Sequence, residues 1–142
     1  FRESFKKVKE LGVNITIHAG EGDGVNSIID ALDNGAMRIG HGVRIIEDIN
    51  NNKPGETAKK IIEQQIPLEI CITSNIHTNM YENIDSHPIV DLIALGFNVY
   101  LNTDNRLMSN TSIDNELNVA KAAGIEDPTS LLKYSASDSF LN

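Results

Sequence analysis

Three short stretches carry residues whose types and spacing could do chemistry. "ITIHAGE" ends a run of β-branched residues on His18 and Glu21, "RIGHG" sets His41 between two glycines, and "LNTDN" puts Asp104 directly after an apolar segment. A buried strand has no use for such endings, and the carboxyl ends of strands are where α/β folds keep their chemistry. A nitrogen ligand (His18), a carboxylate ligand (Asp104) and a free glutamate (Glu21) converging on one site are the parts of a hydrolytic zinc centre. His41 suits a catalytic imidazole, because glycine on both sides allows another group to come close. Thr103 and Asn102 could orient the Asp104 carboxylate by hydrogen bonds, as ligands need.

Each of these residues also has a plainer account. A lone histidine at a strand end is often a hydrogen-bonded structural residue, Glu21 alone is a solvated turn acid, and a tight turn would explain His41. A type I turn with an Asx hydrogen bond would explain "LNTDN". Other polar residues are set aside. His77 reads as a surface loop residue and His87, before Pro88, as a helix starter. Ser74 lacks the flanking glycines of a nucleophile elbow, and Cys71 sits in an apolar run as a small hydrophobe. Covalent catalysis has no candidate.

The elements that must position these groups recur four times: a helix, a glycine or proline, a short apolar strand, then a polar turn. Strands are expected at 13–17, 36–39, 67–72 and 97–101, and helices near 24–33, 56–65, 88–95 and 113–123. An opening helix carries Phe1, Phe5, Val8 and Leu11, and a last one is expected from Pro128, behind an Asp127 N-cap, to about Phe140. Gly12, Gly35, Gly96 and Gly124 fall where helix C-caps belong, and Pro88 and Pro128 fit first turns. "NNNKPGE", 50–56, reads as a flexible loop.

With 142 residues, 40% of them apolar, the chain has the make-up of one domain. Its apolar runs are far shorter than the ~20 residues of a membrane helix. A formal charge of −8 without a basic cluster argues against nucleic acid. One cysteine cannot form an internal disulfide, which points to a reducing cytoplasm. Strands alternating with helices imply a parallel sheet covered by helices. "HAGEGDG" has the glycines of a phosphate turn, but its histidine and two acids would repel a phosphate, so a (β/α)8 barrel fits better than a doubly wound sheet. Four units make half of such a barrel, and the chain, opening inside a helix, reads as a portion of something longer.

"ITIHAGE", "MRIGHGVR", "PLEICITSN", "HPIVDLIALGFNVYLNTDN" and "SASDSF", in this order and spacing, resemble the carboxyl-terminal half of the adenosine deaminase family. The resemblance covers nearly the whole chain, 1–142, as half of one barrel domain. It implies a zinc-dependent barrel that hydrolytically removes the 6-amino group of adenosine. By that likeness His18 and Asp104 are zinc ligands, Glu21 protonates the purine ring and His41 stands beside the attacking water. Asn105 takes the place of a second aspartate that faces purine N7 in the family.

Two departures follow. Asn105 donates from its amide without a proton cost, which bears on substrate preference. The family's first-strand His-x-His pair, two further zinc ligands, has no counterpart in these residues, so the site is half built. Adenosine is the expected substrate, with adenine or an adenine nucleotide as the alternative within the family, and an inactive half-barrel serving binding or assembly as the alternative outside it. The expected partner is the missing amino-terminal half or a second copy of the chain.

Overall fold

The computed structural model describes residues 2–135 and 137–140. Phe1 and Ala136, which belong to the first and last expected helices, lie outside the described residues.

Helix α1 (Arg2–Glu10) passes through Gly12, at φ +69°, to strand β1 (Thr16–Ala19), and α2 (Val25–Asp33) leads to β2 (Arg38–His41). A 3-10 helix (Val43–Asp48) and a small hairpin of β3 (Ile49–Asn50) and β4 (Lys53–Pro54) precede α3 (Glu56–Glu63). Then come β5 (Leu68–Ile70), α4 (Ile72–His77), a 3-10 turn at Ile84–Ser86 and α5 (Ile89–Ala94). Strand β6 (Val99–Leu101), α6 (Ile113–Ala122) and a 3-10 helix (Pro128–Leu132) are the last elements among the described residues. The strands β1, β2, β5 and β6 form one parallel sheet in that order.

Alternation along the strands separates two chemistries. Ala19, Ile39, Leu68, Ile70, Val99 and Leu101 are buried against Ile28 of α2, Ile61 of α3 and Leu92 of α5. Burial of each such side chain contributes roughly 1.5–3 kcal/mol, so this helix-covered face holds the sheet together. The opposite face carries a row in which His18 pairs in register with Gly40, Gly40 with Glu69, and Glu69 with Tyr100. It is polar. Arg38 lies 3.2 Å from Glu69, and Tyr134 stacks on Tyr100 with ring centroids 4.0 Å apart.

Several expectations shift. The first two strands end later than the apolar runs do, on His18–Ala19 and Gly40–His41, because the parallel pairing continues through His18 with Gly40 and Ala19 with His41. The third is shorter, since Ile72 begins α4, a helix that the β-branched "ICIT" did not announce. The "NNNKPGE" segment is no loop: Asn51 and Asn52, at φ +50° and +58°, turn a tight hairpin and Ile49 pairs with Pro54. The last helix stops as a five-residue 3-10 helix, and Asp127 makes no side-chain cap to its backbone.

Candidate active site

His18 leaves the inner face of β1 and its ring lies across Gly40 of the next strand. A Cβ at Gly40 would stand 2.6 Å from His18 Cδ2 and 3.1 Å from Nε2, so only glycine gives the imidazole this seat. After Ala19 the chain must turn at once. Gly20 does so at φ +66°, where a Cβ would also strike Ile28 Cδ1 at 2.6 Å. That turn brings Glu21 back toward β2.

His41 ends β2 in the left-handed region, φ +63°, and Asp104 follows β6 at φ +55°. Such conformations cost side-chain-bearing residues on the order of 1–3 kcal/mol and collect where function holds them. Here both fall on strand-end residues facing the same cavity.

His41 is 1% exposed and its Nε2 lies 3.4 Å from Glu21 Oε2. Burial lowers the affinity of the ring for a proton, and the Glu21 carboxylate opposes that effect. The His18 and His41 rings meet edge to face at 5.0 Å. His18, Glu21 and His41 each offer one donor atom, and these atoms all lie within 4.8 Å of one another.

Asp104 stands outside that trio but lines the same cavity of about 260 Å³ with His18, Gly40, His41, Glu69, Cys71 and Asn102. Its carboxylate is oriented by Ser74, whose hydroxyl donates to Oδ2 over 2.8 Å. Asn102 does not do this: it donates to Glu69 and Tyr134, and the Thr103 hydroxyl donates to the Asp104 carbonyl. Ser74 sits on α4, whose first turn is tied down from a distance, Thr73 N–H donating to the fully buried Glu116. Cys71 is buried, and burial pushes its thiol well above the ordinary range, so it stays an inert wall residue.

Asn105 is exposed. Its Oδ1 accepts the N–H groups of Leu107 and Met108 at 3.1 Å, which leaves Nδ2 with no acceptor among the described residues. His77 is exposed, as expected, but it is the last residue of α4 and not part of a loop. His87 does start α5, its Nδ1 accepting the Ile89 N–H, but it is buried and its Nε2 meets Asn75, which in turn meets His41. Sequence reasoning gave Ser74, Asn75 and His87 no part in the site. Nothing in their spacing shows that α4 reaches His41 at the end of β2 and Asp104 after β6.

Residues 1–139 match the profile of a protein family described as Adenosine deaminase. An adenosine deaminase of Clostridium botulinum is 42% identical over 116 residues, which cover 81% of this chain and 33% of that protein. The chain thus spans about a third of the length of the curated relatives it matches. Among solved structures, the N6-methyl-AMP deaminase of Arabidopsis thaliana superposes with a TM-score of 0.81 at 29% identity, covering 100% of this chain and 41% of that one. An adenine deaminase of Arthrobacter aurescens, 22% identical, shares the fold with a TM-score of 0.79 over 99% of this chain and 45% of its own. The four parallel strands therefore match part of the barrel of these solved structures, and the chain belongs to the adenosine deaminase family.

Proposed function

We propose that this chain is the carboxyl-terminal half of a barrel that hydrolyses adenosine to inosine and ammonia. The observation that carries the reading is the meeting of His18, Glu21 and His41 at the strand ends, with Asp104 on the cavity that both histidines line. Their donor set fits zinc in kind, imidazole nitrogen and carboxylate oxygen. With Glu21 and His41 given to the reaction itself, it falls short in number. His18 and Asp104 would hold the ion, and a catalytic zinc takes three protein ligands, so others must come from residues outside this chain. When bound, zinc lowers the pKa of a water from ~16 toward ~7 and so supplies a nucleophile at neutral pH.

The residues of this chain would do the rest. Glu21 delivers a proton to ring N1, which draws electrons from C6 and opens it to attack. His41, against Glu21, holds the attacking oxygen in place. The water oxygen bonds to C6 and the C6–N6 bond breaks; of the two protons the water gives up, one leaves with N6 as ammonia and the other restores Glu21, while the oxygen stays on C6 as the carbonyl of inosine. Asn105 Nδ2 is free to donate to N7, a hydrogen-bond acceptor.

A second cavity of about 510 Å³ adjoins Glu21 and is lined by Arg44, Glu47, Thr78, Met80 and Tyr81. Its one guanidinium is already engaged by Glu47 at 2.6 Å. Two carboxylates flank that one cation, so the cavity disfavours a phosphate, which supports a nucleoside rather than a nucleotide. The buried single thiol supports a cytoplasmic setting.

The test joins the chain to an amino-terminal half bearing the His-x-His pair and assays adenosine conversion. Turnover is expected from the joined protein, and Glu21→Gln should lower it at least 10²-fold while zinc and purine binding persist. The 142-residue chain alone should pair with a second copy and convert nothing. A monomer that holds zinc tightly and deaminates adenosine unaided would sink the half-site reading.

A further inference from the structure

We propose that His87 is a positioning residue that acts through Asn75 to fix the proton of His41 on Nε2, so that His41 serves the site as a hydrogen-bond donor. One group in this series of contacts has a role with no alternative. The Ile89 backbone N–H can only donate, and it points at His87 Nδ1 over 3.3 Å. That nitrogen must accept, so the proton of the neutral ring sits on Nε2. His87 Nε2 lies 3.3 Å from Asn75 Oδ1 and donates to it.

The Asn75 carboxamide, fully buried, is thereby set one way round. Its Nδ2 then faces His41 Nδ1 at 3.2 Å and donates. His41 Nδ1 must accept in turn, which leaves the proton on Nε2, 3.4 Å from Glu21 Oε2 and at the cavity. One backbone amide at the start of α5 thus sets the direction of hydrogen bonds through two side chains into the candidate active site.

Burial keeps the first ring neutral, holding His87 at a pKa of about 4, so the relay does not reverse at ordinary pH. Charging His41 would need a second proton on Nδ1, facing an amide that already donates there. The relay opposes it. His41 is therefore built to hold an oxygen by donation rather than to take its proton.

The value of this tautomer for catalysis rests on the deaminase reading, whereas the tautomer itself does not. The 142-residue chain is labelled with 15N and the ring nitrogens of His41 and His87 are read by long-range 1H–15N correlation. Both rings are expected protonated on Nε2 and bare on Nδ1. His87→Phe keeps the apolar volume and the edge contact with Tyr81 but frees the Asn75 carboxamide to turn, so His41 should show mixed tautomers. His87→Gln, which can accept from Ile89 and donate to Asn75, should restore the Nε2–H form. In the joined barrel His87→Phe should lower kcat about tenfold or more with KM little changed, and His87→Gln should recover most of it.

The parent spectrum decides even where His87→Phe fails to fold, because a neutral His41 protonated on Nδ1 overturns the relay. An unchanged His41 pattern in folded His87→Phe overturns it equally. The expected tautomers in a joined barrel that deaminates nothing support the relay and count against the deaminase reading, while an active barrel with His41 protonated on Nδ1 does the opposite.

Discussion

The Ser74 hydroxyl donates to Asp104 Oδ2 over 2.8 Å, joining the start of α4 to the end of β6. Asp104 is exposed and its backbone is in the left-handed region, so this bond is what holds its carboxylate toward the cavity shared with His18. Partners of this kind typically carry 10–100-fold in metal affinity. Ser74→Ala should weaken zinc binding by that order, measured by competition with a chelator in the joined barrel. An affinity equal to the parent's would remove Ser74 from any supporting role.

Gly40 gives His18 its seat. A methyl group there would stand 2.6 Å from the ring, and the least costly relief is for His18 to swing away from the sheet. Gly40→Ala should therefore leave the helix content unchanged while abolishing tight metal binding, a pair of results read by circular dichroism and metal titration. Retained affinity would show that the ring can bind from another rotamer.

Asn105 already has its carbonyl oxygen committed to Leu107 and Met108, so only its amide faces outward. Asn105→Asp keeps that turn but can donate to N7 only when protonated. The expected outcome is activity that falls as pH rises, against a flatter profile for the parent. A profile unmoved by the substitution rules out the contact with N7.

His87 makes stability depend on pH. Its folded-state pKa of about 4 lies below the ordinary 6.5, so between those values the unfolded chain binds a proton that the folded chain refuses. Stability therefore rises with pH across this window, is complete above 6.5 and is lost on acidification, by about 3 kcal/mol as an upper bound. His41, lowered in the same direction by burial, contributes with the same sign. Urea unfolding at several pH values should give a shallower slope for His87→Phe than for the parent. Equal slopes would place the acid sensitivity elsewhere.

The helix and strand alternation was legible because each unit ends on punctuation that works locally. Gly12, Gly35, Gly96 and Gly124 all adopt the positive φ that a helix exit asks for. His18, Glu21, His41 and Asp104 could be picked out because polar residues at the ends of apolar strands need a reason. The groups that hold them in place could not. Ser74 and Asn75 reach the site only because Ile72–His77 winds into a helix pinned by Glu116, 43 residues further on in the chain. His87 likewise does a local task at Ile89 that fully accounts for its place in the sequence, and its second bond, to Asn75, depends on tertiary packing alone.

The sheet lists its strands in space in the order in which they are made, β1, β2, β5, β6. Each strand as it emerges during synthesis finds its neighbour already laid down, and the only loop to be closed is one helical crossover, whose entropic cost grows slowly with length. The sheet can therefore grow like a wall built from one end, without waiting for a distant segment. Its last edge, β6, has no further partner strand among the described residues, and a closed barrel would pair that edge too. In the proposed barrel, ring closure would then be the late event in assembly, and it would bring together the two parts of the proposed metal site.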